Sequence, residues 1–205
     1  MYSTKTATIS AQEFTSSYMP VGINENVTLK DVTVEKTPNG RDFIRIVFEN
    51  EAGQTAEMTE WKNEKNMWIK TDEDLQKRDD QQFGRLLQIV DSFGIRPEFE
   101  GSSFLEMITW VKDLLLNYKA AANNPKLRLK VVYDKKGFTK VSNLGVFVEP
   151  MTTEQSQIKL WKNDLLERPI IADVEPAVDP LAGQDMSDFS TPVTETQTGA
   201  DDLPF

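Results

Sequence analysis

The 205-residue sequence has no cysteine and no histidine. Disulfides, thiolate or imidazole zinc sites, a cysteine nucleophile and every acid–base scheme built on imidazole are thereby excluded. Long apolar runs are missing too: the aliphatic stretch Leu114-Leu115-Leu116 is as long as any, and Met1 to Phe14 hold no apolar signal core. Neither export nor membrane spanning is expected, and the reading is cytoplasmic. The Asn26-Val27-Thr28 glycosylation pattern is then a chance match. The ten glycines are scattered, forming neither a Walker A loop nor a G-x-G-x-x-G fingerprint, so a nucleotide-hydrolysing motor is not expected.

Positive charge is absent from one end only. Of the 33 acids, 8 lie between Ala172 and Phe205, a stretch without Lys or Arg, leaving 23 basic and 25 acidic side chains in the first 171 residues. The formal net charge of −10 therefore belongs mostly to a tail, while the body is nearly neutral. Rich in Pro, Thr, Ser, Gln and Gly, the tail (169–205) has too few large apolar residues to offset the entropy of ordering it, and is expected to be disordered.

The body reads as strands, helices, then strands. After an arm over residues 1–25, Val27 to Lys36 is a strand whose apolar parity changes near Lys30 and Asp31, which calls for a bulge. Thr37-Pro38-Asn39-Gly40 is a hairpin turn. Arg41 to Glu49 follows with Ile44, Ile46 and Phe48 on one face and Phe43, Arg45 and Val47 on the other, and Thr55 to Trp61 makes a third strand. A helical block over 71–122 begins at Thr71 with Asp74 and again at Ser103 with Glu106, both capping-box spacings, and stops at Asn123-Asn124-Pro125. Leu127 to Tyr133 and Phe138 to Glu149 are the last two strands, around the Asp134-Lys135-Lys136-Gly137 turn. Met151 to Arg168 has the pattern of one more amphipathic helix. This order predicts an all-β core with a helical insertion, a five-stranded OB-type Greek-key barrel over 26–150 with both helices between strands 3 and 4. A two-layer α+β sandwich has the same element order.

No catalytic residue, metal or cofactor is assigned. Asp72, Glu73, Asp74, Asp79 and Asp80 have the composition of a Mg²⁺ site, but acids in a first helical turn serve the helix dipole more often. The informative pattern is cationic. Arg128, Lys130, Phe138 and Lys140 share one parity of the last hairpin if its turn is a three-residue loop, with Lys135 and Lys136 at the tip and Leu129, Val131 and Tyr133 turned inward. Arg41, Phe43 and Arg45 form a similar outward set on the second strand, and Trp61, Lys62, Lys65, Trp68 and Lys70 follow the third. Lysines and arginines that neutralise phosphates, beside rings that stack on bases, are how single strands are bound. A solubilising hairpin is the bland alternative for the last two strands, and at least one of the two tryptophans is expected in the core.

Asp201-Asp202-Leu203-Pro204-Phe205 closes the chain after the acidic linker. This tip resembles that of the single-stranded DNA-binding proteins of bacteria and bacteriophages. Over the body, VGINENVTLKDVTVE and LRLKVVYDKKGFTKV, with the element order, resemble phage versions of that family, while the helical block departs from the compact bacterial pattern. The resemblance implies a non-enzymatic protein that coats single-stranded DNA with little sequence preference in replication, recombination or repair. It also implies that Asp201, Asp202, Leu203, Pro204 and Phe205 recruit partners of the polymerase, helicase, primase or nuclease class, in the host cytoplasm if phage-encoded. The rival reading is an acidic interaction protein or DNA mimic; it would spread acids over a folded face, and here they concentrate in the tail.

Overall fold

Alternating apolar residues and a tight turn build the first hairpin of the computed structural model, which describes residues 16–94, 97–121 and 124–169. β1 (Gly22–Lys36) and β2 (Asp42–Glu49) pair antiparallel, with Leu29 opposite Phe48 and Lys36 opposite Asp42. Ile44, Ile46 and Phe48 are buried, while Phe43, Arg45 and Val47 on the other parity are half-buried. The register skips one residue between Leu29 and Asp31, placing the bulge at Lys30 as the parity change requires. Asn124, distant in sequence, satisfies the backbone there: its side-chain amide accepts from the Leu29 N–H (3.2 Å) and donates to the Leu29 carbonyl (2.9 Å), standing in for a strand neighbour.

Before the bulge β1 has a different partner. Its first half pairs with β4 (Leu127–Tyr133), Gly22 opposite Val131 and Val27 opposite Leu127. β1 thus starts five residues earlier than the sequence pattern shows, because Asn24, Glu25 and Asn26 hide the alternation. The arm ahead of it is also used: Met19 is fully buried in the core, and Ser17 and Met19 exchange backbone hydrogen bonds with Thr55 at the start of β3 (Thr55–Trp61).

Local capping chemistry starts both helices. Thr71 and Asp74 form a reciprocal capping box at α1 (Asp72–Ser92), and the Thr71 hydrogen bonds hold the Asp74 carboxyl below its usual range. At α2 (Phe104–Ala121) the Ser103 hydroxyl accepts from the Glu106 N–H (3.2 Å), and Ser102 lowers the Glu106 carboxyl in the same way. Leu86, Ile89 and Val90 of α1 and Ile108, Val111 and Leu115 of α2 join the strand residues in one core.

The strands run in the order β3-β2-β1-β4-β5, with β5 (Thr139–Val141) and β6 (Val148–Pro150) both on β4. The expected continuous strand from Phe138 to Glu149 is therefore interrupted. Between the pairs Val131–Val141 and Leu129–Val148, β4 advances two residues and its partner seven, so residues 142–147 loop out as an excursion. Counted as one interrupted strand, β5 and β6 complete a nearly closed five-stranded antiparallel barrel with two helices. Among the described residues, no helix is long and apolar enough to cross a membrane.

Residues 151–168 do not form the expected helix. They lie as an irregular strap over the outer face of β4, because side chains and strands there claim the backbone groups that a helix would pair internally. Arg128 donates to the Thr153 carbonyl (2.9 Å), Lys130 to the Lys159 carbonyl (3.0 Å), and the Tyr133 N–H to the Leu165 carbonyl (2.8 Å). Glu149 ties the strap's first part. Burial disfavours its charge, but the Gln157 N–H, Ser156 and Arg128 outweigh burial and hold the carboxyl below its usual range. A depressed carboxyl stabilises the fold above its unfolded pKa and loses that contribution as pH falls through the folded value. Acidification from about pH 6 to about pH 3 is therefore expected to loosen the strap, read in the fluorescence of Trp161, and Glu149→Gln should remove that step. An unchanged acid profile in the variant would assign the transition elsewhere.

Candidate nucleic-acid interface

β2 and β3 present the best-formed aromatic surface. Phe43 and Trp61 are register partners, and their rings stack with centroids 4.4 Å apart and planes at 30°. The Arg41 guanidinium lies 5.6 Å from the Trp61 ring centre and donates to the Lys62 carbonyl (2.8 Å), which fixes it beside the rings. Arg45 shares this face but is ion-paired to Glu35 (2.7 Å).

The connection from β3 to α1 is a scaffold for a second ring. Asn66 accepts from the Trp68 and Ile69 N–H groups (2.8 and 3.1 Å), and Ile69 is buried, so the turn is anchored while Trp68 stays 85% exposed. Lys62 and Lys70 are exposed on either side, and Lys65 pairs with Asp72 (2.6 Å). Asn63 donates to Asp79 and Gln82, which docks the segment on α1.

The last hairpin has the expected three-residue loop. Asp134 accepts from the Lys136 and Phe138 N–H groups (2.8 and 2.9 Å), and Gly137 takes the left-handed φ of +77° that such a loop demands. Lys135 and Lys136 stand exposed at its tip and Phe138 is 60% exposed. A groove of about 350 Å³ along the seam between β3 and β5 is lined by Phe138 and Lys140 from one side and by Glu57, Thr59 and Glu60 from the other. Thr59 is the register partner of Arg45, so this seam is continuous with the outer face of β2 and β3. Arg85 and Gln82 hold the Glu60 carboxylate (2.6–2.9 Å) and so join α1 to the barrel.

Two expected cations are elsewhere. The parity holds, but the strap covers that part of the face. Lys130 is fully buried, and its ammonium donates to the Leu144 carbonyl (2.8 Å), the Lys159 carbonyl (3.0 Å) and the Asp164 carboxylate (3.0 Å). Its three N–H donors have three acceptors, and Asp164 also accepts from the Trp161 N–H (2.7 Å). Arg128 is held between Glu25 (3.2 Å) and Glu149 (3.1 Å). Tyr133 is half-buried. The tip residues Asp201 to Phe205 lie outside the described residues.

No family model matches the chain, and no curated protein matches it. The site's chemistry is therefore read from its own residues. Among the described residues no three acids converge as a metal site would require, and of the first-turn acids Asp72 pairs with Lys65 and the Asp74 carboxylate accepts from the Thr71 N–H. Exposed Tyr18 beside β3 and exposed Trp161 on the strap carry no local sequence signal, since their neighbours in space come from distant segments.

Proposed function

We propose that this is a non-enzymatic single-stranded DNA-binding protein of OB type. One observation supports it above the others: the stacked Phe43–Trp61 pair with Arg41 beside it, on a face continuous with the seam that holds Phe138 and Lys140. Rings of this kind stack on bases of any sequence while the cations neutralise phosphate, which gives binding with little sequence preference. The barrel strands with a helical block between β3 and β4 agree with an OB barrel. In this reading the protein protects single strands during replication, recombination or repair. The acidic tip from Asp201 to Phe205 recruits replication or repair proteins, since a terminal ring and its carboxylate can be captured together by an apolar pocket with basic donors.

Trp61, Trp68 and Trp161 are exposed while Trp110 packs against Phe83 and Phe99, so intrinsic fluorescence reports on the surface. Titration with oligo-dT is expected to quench it strongly and duplex DNA weakly. Deleting Phe205 should leave that titration unchanged and abolish capture of replication proteins. Absence of quenching by the single strand sinks the binding reading, and undiminished capture sinks the recruiting tip.

A further inference from the structure

The seam groove does not end at β5. Asn143 lines it and also lines a second groove of about 410 Å³ between α1 and the 142–147 excursion, where Arg78, Gln81, Arg85 and Gln88 recur at helical spacing on one face. Gly145 lines that groove and also a third, of about 600 Å³, beside the strap at Gln155, Gln157, Lys159 and Trp161. Three grooves joined at two shared residues make one trough. Its floor is firmly held: the Gln88 amide donates to the Gly145 carbonyl (3.3 Å) and accepts from the Phe147 N–H (2.9 Å), and the Lys130 ammonium holds the Leu144 carbonyl from below.

The lining is selective. Acids occur only in the seam, as Glu57, as Asp134 with its Lys136 and Phe138 N–H partners, and as Glu60 with its Arg85 and Gln82 partners; none lines the second or third groove. In a chain of net charge −10, a stretch with Arg78 and Lys159 and no carboxylate, beside an Arg85 already paired with Glu60, is a place for an anion. The Arg78 guanidinium makes no hydrogen bond or ion pair with any described residue. The remaining polar lining is mostly side-chain amides, which donate and accept equally and so suit the edges of any base. At the far end stands the indole of Trp161, more than half exposed. A Cβ at Gly145 (φ +62°) would lie 3.0 Å from the Trp161 Nε1, so a side chain there would strain the backbone and crowd that ring, and glycine suits the position.

We infer that the trough carries the continuation of a bound single strand, from Phe138 and Lys140 past Arg78 to a terminal stacking position on Trp161. This rests on the reading that the barrel binds single-stranded DNA, and it assigns Arg78, Lys159 and Trp161 to a second segment of that site.

The test uses the full chain with two oligo-dT lengths, roughly 6 nucleotides for the barrel face alone and roughly 16 for the face plus the trough. Arg78→Glu should reduce the salt slope of the long oligonucleotide by about 0.7 and leave the short one unchanged. Trp161→Ala should weaken the long oligonucleotide about five- to hundredfold and the short one hardly at all. Trp161→Phe should retain most of that affinity, and thermal melting shows whether each variant keeps its fold. Wild-type binding to both lengths, with variants that match it or lose equally on both, overturns the trough. Failure of the wild-type chain to bind either length overturns the underlying reading as well, so the two failures are distinct.

Discussion

Replacing Lys130 by methionine is expected to lower stability by about 3–5 kcal/mol while affinity for a short oligo-dT that reaches only the barrel face stays near the wild-type value. Both partners of the Lys130–Asp164 pair are fully buried, so removing the ammonium strands a carboxylate away from water and frees the carbonyls of Leu144 and Lys159. For a domain of this size the melting temperature should fall by roughly 6 to 20 °C. Adding Asp164→Asn should recover much of the loss, because the amide keeps an acceptor for the Trp161 N–H without the charge. Thermal melts with oligo-dT titrations decide the matter. A stable Lys130→Met protein with weakened binding would mean that Lys130 meets phosphate and that the strap is not docked in solution.

Loss of the Phe43–Trp61 pair should act in the opposite way. Either ring replaced by alanine should reduce affinity by about 1–3 kcal/mol, the value of one stacked base. Stability should fall by only about 0.5–1.5 kcal/mol, the worth of an aromatic pair, since both rings are partly exposed. Because the rings stack on each other, the double variant should lose less affinity than the two single losses combined. A fall in stability with unchanged affinity would make the pair a packing device and remove the main support for the proposed function.

These contrasts mark where the sequence was readable. Thr71 with Asp74, Ser103 with Glu106 and the Asn39-Gly40 turn depend on residues within a few positions of one another, and the structure has them where the pattern puts them; the Lys30 bulge is where the parity change puts it, though distant Asn124 completes it. Phe43 and Arg45 are on the outer parity for the same reason. Lys130 shows what local pattern omits. Its strand parity is outward, but Leu144, Lys159 and Asp164 convert outward into buried, and they come from 14, 29 and 34 residues away. The strap itself reads as a helix because Ile158, Leu165 and Leu166 have helical spacing; nothing within the segment announces that its carbonyls serve Arg128, Lys130 and Tyr133. Arg78 and Trp161 are unremarked in sequence for the same cause, as only the excursion at 142–147 brings α1 and the strap to one trough.

The strand path runs from β3 to β5 and stops, with no hydrogen-bonded register joining those two strands across the seam. Each therefore has backbone N–H and C=O groups on its outer edge, the kind of row that recruits a strand from another chain and seeds aggregation. Here the two edges face one another across a groove instead of facing outward, β5 is only three residues long, and Lys140 in its middle opposes the approach of an apolar strand. A protein that crowds many copies along one polynucleotide would need that protection, since neighbours held at high local concentration must touch without merging their sheets.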